Sequence, residues 1–300
     1  MLKNVINYLI GTLANLGLGK IRMFSVLYRR THQLIFRDKK DEVQCEGFTF
    51  FTPKGRAGFN IRVGGSFEPM MTRIFKGLAR SGMRIIDVGA HVGYYSFLAS
   101  RIVGPEGKVY AFEPEHENYR CLECGIAENK LTNVTPVNYA VSNINGFADL
   151  HINFGSSVTH SLSERNITKK GVRENVGITT LDDYADKNGI RKVDIIKIDT
   201  QGFDAKVING AKNILVENKN IKIFMEFWPD GMKNAGDEPR LFWNFMTGMS
   251  FIPYHIGKED HSPSSITFEY ALERCKTDRS NARDTIVLWS RDALNMQEFD

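Results

Sequence analysis

Apolar and polar positions along this chain alternate between a strand pattern and a helical pattern. Short apolar runs predict strands over residues 84–88, 108–112, 134–137, 193–198, 221–227, 251–256 and 285–289, with further short strands within 43–63. Apolar residues at helical spacing predict helices over residues 69–80, 92–102, 116–129, 203–215 and 239–247. Strands that alternate with helices in this way indicate an α/β fold, with a mostly parallel sheet covered by helices on both faces.

Acidic residues stand at the ends of four of these strands: Asp87, Glu113, Asp199 and Glu226. The carboxyl ends of parallel strands share one edge of the sheet, and ligands bind beyond that edge. A strand end is an unusual place for a carboxylate unless a ligand or water meets it. The pattern therefore predicts a ligand site at this edge.

A glycine-containing turn follows the first of these strands, where residues 87–93 read Asp-Val-Gly-Ala-His-Val-Gly. Nicotinamide enzymes use the spacing G-x-G-x-x-G around a pyrophosphate, which Asp87 would repel. S-adenosylmethionine has no phosphate, and its ammonium group favours a carboxylate while its carboxylate suits the N–H groups of a helix start. Glu113, which ends the next strand before Pro114, can accept hydrogen bonds from the ribose hydroxyls of either cofactor.

Eight sequence strings, in this order along the chain, resemble the FkbM family of S-adenosylmethionine-dependent methyltransferases: residues 67–69, 86–96, 109–114, 138–142, 180–184, 196–204, 210–211 and 225–229. The resemblance implies a class I (Rossmann-like) methyltransferase fold. It implies methyl transfer to a hydroxyl oxygen of a sugar, a glycolipid or another natural product. It also implies binding of S-adenosylmethionine by Glu68, Asp87, Gly89, Ala90, His91, Gly93, Glu113, Pro114, Asn138, Ala140 and Val141. The chain departs from the family where it has His91 in place of the usual Asn and Gln201 in place of the usual Glu.

Methyl transfer to an alcohol needs a group that removes the hydroxyl proton. Asp199 is the first candidate for this general base, and Glu226 and His160 are its rivals. Asp199 could instead bind the donor or order the turn that follows it. No metal site is predicted, because Asp199 and Glu226 lack a third ligand at diagnostic spacing and the Cys121-x-x-Cys124 pair has no second pair.

Charge separates a basic N-terminus from a mildly acidic remainder. The formal net charge is +4, yet residues 1–37 hold six basic residues and no acid. Their apolar residues recur at helical spacing, so we expect a helical extension over residues 1–40, a lead-in of strands and a helix over 41–83, and the methyltransferase domain over 84–300. The extension could contact an anionic membrane, cap the domain, form a dimer contact or act as a transit peptide.

Composition bears on the compartment of the protein and on the classes of partner that it can bind. A charge of +4 on 300 residues is too small to indicate nucleic-acid binding. Four scattered cysteines favour a reducing compartment, and no apolar run is long enough to span a bilayer. We therefore expect a cytoplasmic enzyme that can contact the inner face of the membrane. Two alternatives remain at this stage, a nicotinamide-dependent oxidoreductase and a catalytically silent scaffold that binds the donor.

Overall fold

The computed structural model describes residues 41–53, 67–153, 160–167, 170–257, 263–277 and 284–294. The predicted extension over 1–40 and part of the strand-rich segment within 43–63 lie outside these residues. The strands are β1 (Asp41–Cys45), β2 (Phe48–Thr52), β3 (Arg84–Val88), β4 (Lys108–Phe112), β5 (Val134–Val137), β6 (Ala140–Val141), β7 (Gly146–Asn153), β8 (Lys170–Thr179), β9 (Ile195–Ile198), β10 (Lys222–Phe227), β11 (Ile252–Ile256), β12 (Ser264–Ser265) and β13 (Thr285–Ser290).

The central sheet has eight strands in the order β12-β11-β13-β10-β9-β3-β4-β5. The five strands from β10 to β5 pair in parallel, whereas β13 runs antiparallel to both of its neighbours. The order reverses between β9 and β3, which is where ligands bind in open α/β sheets. The predicted class I methyltransferase architecture is confirmed.

Nine helices connect the described strands: α1 (Pro69–Leu78), α2 (Tyr94–Val103), α3 (His116–Glu128), α4 (Leu181–Lys187), α5 (Asp204–Asn209), α6 (Lys212–Glu217), α7 (Pro229–Asn234), α8 (Pro239–Gly248) and α9 (Phe268–Thr277). These helices cover both faces of the sheet. Successive residues of a strand point to opposite faces, so each face presents apolar side chains to the helices that pack on it. Ile85 packs with α1, α2 and the β1–β2 hairpin, whereas Ile86 packs against the helices that follow β8.

The predicted helix over residues 203–215 is two helices, α5 and α6. They separate at Gly210, where a Cβ atom would lie 2.1 Å from the carbonyl oxygen of Ser142. The chain must therefore pass closely over β6, and a new helix begins beyond that contact. The Asp182 carboxylate starts α6 by accepting hydrogen bonds from the backbone N–H groups of Asn213 and Ile214.

A second sheet, in the order β6-β8-β7, was missed by the sequence patterns. Its side chains form a small apolar cluster of their own, around Leu150 and Val176. This sheet and the segment over residues 160–167 lie beside the carboxyl edge of the central sheet. Among the described residues, no helix combines the length and apolar character needed to cross a membrane.

Candidate active site

A cleft opens at the carboxyl ends of β3, β4 and β9. Its empty space, part of which is open to solvent, measures about 1040 Å³. Aromatic and aliphatic side chains form much of its wall, with polar groups at a few points. The residues that line it are Phe67, Val88, Gly89, Ala90, His91, Tyr94, Tyr95, Phe112, Glu113, Pro114, Asn118, Tyr139, Ala140, Val141, Leu150, His160, Ser161, Leu162, Lys197, Asp199, Thr200, Gln201 and Phe203.

The four strand-end acids do lie along one edge, because β10, β9, β3 and β4 are consecutive in the sheet. Their side chains, however, face different surroundings. Glu113 and Asp199 line the cleft. Asp87 is 1% exposed and faces the interior, so the predicted direct contact of its carboxylate with the donor's ammonium does not follow from this geometry.

Asp87 is paired with a lysine from the neighbouring strand. Asp87 and Lys197 are register partners of β3 and β9, and Lys197 Nζ lies 3.5 Å from Asp87 Oδ1. Ser96 donates a hydrogen bond of 2.7 Å to Asp87 Oδ2. The negative charge of Asp87 is therefore balanced within the protein by the Lys197 ammonium.

Lys197 also lines the cleft. Its ammonium lies 3.6 Å from Asp199 Oδ2 and donates to the carbonyl oxygen of Gly89 at 3.2 Å. Burial by itself would lower the pKa of Lys197, but Asp87, Asp199 and Glu68 together raise it above its ordinary value. Lys197 therefore stays charged. The signal for this residue in the sequence is a lysine within the apolar run Ile-Ile-Lys-Ile.

The glycines of the turn after β3 allow close packing within the protein. A Cβ atom on Gly89 would lie 2.0 Å from the carbonyl oxygen of Asp199, and one on Gly93 would lie 2.5 Å from the Phe97 ring. The N–H groups of Gly89 and Ala90 both donate to the carbonyl oxygen of Phe112. These two amides fix the turn against β4 and are already bonded within the protein.

Glu113 is held rigidly at the end of β4. Its Oε2 accepts from the N–H of His91 at 2.8 Å, and its Oε1 accepts from the N–H of Glu115 at 3.0 Å. Burial raises the pKa of Glu113 to about 7, although these two N–H groups oppose the rise. Asn138 secures the turn from outside by donating to the carbonyl oxygens of Glu113 and Pro114.

Two histidines, His91 and His160, line the cleft. His91 has a positive φ of 52°, a conformation that an Asn adopts more readily than a His. Burial lowers the pKa of His91 to about 3, and the charges of His160 and Lys197 act in the same direction. Its Nε2 is buried and has no hydrogen-bond partner among the described residues. His160 Nδ1 accepts from the N–H of Asn153 at 3.1 Å.

Gln201, which lines the cleft, connects the carboxyl groups of Asp199 and Glu226. Its Nε2 lies 3.0 Å from Asp199 Oδ1 and 3.1 Å from Glu226 Oε2. Burial raises the pKa of Glu226 well above its ordinary value, and the nearby Asp199, Asp284 and Asp204 raise it further. Glu226 therefore holds a proton more readily than an exposed glutamate does, and it is not among the residues that line the cleft.

Glu68 lies beside the cleft, next to a residue that lines it. It adopts a positive φ of 46° just before α1, and Tyr95 donates a hydrogen bond of 3.0 Å to its Oε2. Burial raises the pKa of Glu68 to about 7; Asp199 raises it further, whereas Lys197 and Tyr95 oppose the rise. Glu68 is thus electrostatically coupled to the Lys197 cluster.

The structure brings most of the predicted site residues together. Those that line the cleft are Gly89, Ala90, His91, Glu113, Pro114, Ala140, Val141, His160 and Asp199. Those that support the cleft without lining it are Glu68, Asp87, Gly93, Asn138 and Glu226. Sequence reasoning missed Lys197, Tyr95 and Leu162, which also line the cleft. Within the described ranges, no group of three or more His, Cys, Asp or Glu side chains is arranged to hold a metal ion.

Comparison with known proteins gives one family match: residues 87–251 match the model of the methyltransferase FkbM domain. The search of curated proteins returned no match. Among solved structures, a Clostridium thermocellum protein described as an rRNA methylase has a TM-score of 0.46 at 10% identity, covering 76% of this chain and 96% of its own. A precorrin-6y C5,15-methyltransferase from Geobacter metallireducens has a TM-score of 0.43 at 12% identity, covering 81% of this chain and 94% of its own. TYW2 of M. jannaschii, solved with AdoMet, has a TM-score of 0.42 at 13% identity and 84% coverage of both chains.

Proposed function

This chain belongs to the FkbM family of S-adenosylmethionine-dependent methyltransferases, and we propose that it transfers the methyl group to a hydroxyl oxygen of a sugar, a glycolipid or another natural product. Family membership makes S-adenosylmethionine the cofactor and removes the nicotinamide-dependent alternative. The choice of an oxygen acceptor is supported by one observation. Asp199 is a carboxylate that lines the cleft, and its two oxygens face Lys197 and Gln201.

The cleft has the groups that S-adenosylmethionine requires. Glu113 offers a buried carboxylate for the ribose hydroxyls, and Tyr139, Ala140 and Val141 offer an apolar wall for the adenine. The buried His91 Nε2 has no partner among the described residues and can accept a hydrogen bond from the methionine part of the donor. We propose that these residues hold the cofactor, with Asp87 acting indirectly through Lys197 and the turn.

When bound, S-adenosylmethionine supplies an electrophilic methyl group on a sulfonium sulfur. The protein must orient the acceptor oxygen and take its proton. Asp199 accepts that proton as the new carbon–oxygen bond forms and the carbon–sulfur bond breaks. The Lys197 ammonium lies 3.6 Å from Asp199 Oδ2 and places a positive charge beside this carboxylate. Glu226 is a weaker candidate for the base, because it does not line the cleft and the acids near it favour its protonated form.

Isotope transfer tests the proposal. The wild-type protein is incubated with cell extract and S-adenosylmethionine labelled in the methyl group, and labelled products are identified by mass spectrometry. We expect a methyl ether, which resists mild base. Label on a nitrogen atom or in a base-labile ester would contradict the hydroxyl acceptor while keeping the methyltransferase activity. Donor binding without transfer to any acceptor would favour the scaffold alternative.

Variants assign the base in the same assay. Asp199→Asn should lower turnover more than it lowers the calorimetric affinity for S-adenosylhomocysteine, since the amide cannot accept the proton. Asp186→Asn is the matched control, because Asp186 is exposed and paired with Arg191 on the surface. Equal losses of turnover and affinity in Asp199→Asn would indicate a binding role for Asp199.

We also propose that the basic residues 1–37 contact anionic membrane surfaces and thereby bring the enzyme to a lipid-linked acceptor. Six basic residues without an acid support this proposal. Deletion of residues 1–37 should reduce co-sedimentation with anionic vesicles and leave the thermal midpoint unchanged. A truncated protein that unfolds would instead identify the segment as a structural cap.

A further inference from the structure

Gln201 occupies the point between two carboxyl groups that would otherwise repel each other. One amide nitrogen lies within hydrogen-bond distance of both Asp199 Oδ1 and Glu226 Oε2, at 3.0 and 3.1 Å. An amide NH₂ group has two hydrogens, so it can donate to both acids at once. A glutamate in the same place would offer only acceptors when ionised.

The backbone of Gln201 is held in a conformation that few side chains adopt. Its φ is 52°, and the following Gly202 has a φ of 92°. The carbonyl oxygen of Gln201 accepts from Ser161 Oγ at 3.0 Å and from Asn166 Nδ2 at 2.9 Å. Because a left-handed non-glycine residue is costly, these two hydrogen bonds stabilise a geometry that the turn alone would not keep.

Asn166 ties this turn to a third segment. Its Nδ2 also donates to the carbonyl oxygen of Gly231, and its Oδ1 accepts from Asn234 Nδ2 at 2.9 Å. A Cβ atom on Gly202 would lie 2.5 Å from Asn166 Nδ2, so this packing requires a glycine there. The segment over residues 160–167, the turn after β9 and helix α7 are thus connected around Gln201.

We propose that Gln201 is a positioning residue that fixes the orientation of Asp199 in the cleft and lets the Asp199–Glu226 pair carry a single negative charge. This inference rests on the proposed function, in which Asp199 is the proton acceptor. Lys197 faces Asp199 from the inner side, and the carboxyl groups of Glu68 and Asp204 also interact with Asp199. Among the described residues, the charged groups beside Glu226 are Asp199, Asp204 and Asp284, and Asp284 shares a hydrogen bond with it. A single negative charge on this pair is therefore stabilised best on the side of Asp199, where the Lys197 ammonium lies 3.6 Å away.

The charge of this pair can be measured without knowing the acceptor. S-adenosylmethionine carries one positive charge more than S-adenosylhomocysteine, so an ionised Asp199 in the cleft favours the former. Calorimetric affinities for both compounds, measured from pH 4.5 to 9, give the ratio of the two dissociation constants. In the wild-type protein this preference should fall as the pH is lowered, because a further proton on the Asp199–Glu226 pair removes its negative charge.

Gln201→Glu places a third carboxyl group beside the pair. The midpoint of the pH profile should move upward by about one pH unit or more, because like charges raise the proton affinity of the cluster. Gln201→Met keeps a side chain of similar length, removes the donor and should move the midpoint in the same direction by less. Gln44→Glu is the matched control, since Gln44 on β1 is exposed and donates a hydrogen bond to Thr49 on β2; its profile should equal the wild-type profile.

Unchanged midpoints in both Gln201 variants would overturn the inference while leaving the methyltransferase function intact. A wild-type preference for S-adenosylmethionine that does not depend on pH over this range would also overturn the inference, because the charge of the Asp199–Glu226 pair would then not change within the range. A wild-type protein that binds neither compound would instead refute the proposed donor site. Thermal midpoints at pH 7 verify that each variant is folded.

Discussion

Removal of the Lys197 ammonium is the sharpest test of how the site is built. At an effective dielectric constant of about 20, two unit charges 3.5 Å apart attract each other by about 5 kcal/mol. Lys197 has two such partners, Asp87 and Asp199, and burial of an ammonium costs several kcal/mol. The attraction that is left after the burial cost is subtracted is similar to the loss of about 3–5 kcal/mol that follows removal of one partner of a buried ion pair.

We therefore expect Lys197→Met to lower the free energy of unfolding by about 3–5 kcal/mol, measured by urea denaturation at pH 7. Asp87 is left as a buried carboxylate bonded only to Ser96 among its named partners. The double variant Lys197→Met with Asp87→Asn should recover part of the loss, because it removes the uncompensated charge.

An exposed pair provides the control. Lys187 and Asp183 approach to 2.6 Å on the surface of α4, with the Lys187 side chain 71% exposed. Lys187→Met should leave the unfolding curve unchanged within error, since solvent screens such pairs. If Lys197→Met proves as mild as Lys187→Met, or if the double variant is less stable than the single one, the reasoning about the buried cluster is wrong.

Three further outcomes follow from the geometry. Glu113→Gln should weaken calorimetric binding of S-adenosylhomocysteine by about 1–3 kcal/mol, since the ribose loses a charged acceptor; the same affinity in both proteins would remove Glu113 from the site. Because the pKa of Glu113 is raised to about 7, wild-type affinity should decline as the pH falls below 7, and binding below that pH should release protons, which calorimetry in two buffers detects. Thr180→Ala removes the side chain that accepts from the N–H of Asp183 at the start of α4, and it should lower the free energy of unfolding by about 1 kcal/mol in urea.

The sequence by itself determined the sheet, the row of acids and one helix start. The alternation of apolar runs with helical spacing placed β3, β4, β5 and β9 within a residue or two of their observed bounds. Parallel strands align their carboxyl ends, so strand-end acids had to share an edge. Thr180 stands before Asp182 and Asp183, a local pattern that favours a helix start, and it accepts a hydrogen bond from the Asp183 N–H. Such signals are local, and a short window of sequence contains them in full.

Only the tertiary structure decided what each acid faces. Asp87 and Lys197 lie more than a hundred residues apart, and only the register of β3 with β9 makes them partners. The same register leaves Asp199 open to the cleft and turns Asp87 inward. Gln201 is another case: its role depends on Asn166 and Glu226, which come from a distant loop and the next strand. The register between two strands decides which side chains become neighbours, and the pattern along one segment does not contain the identity of the residue on the other strand.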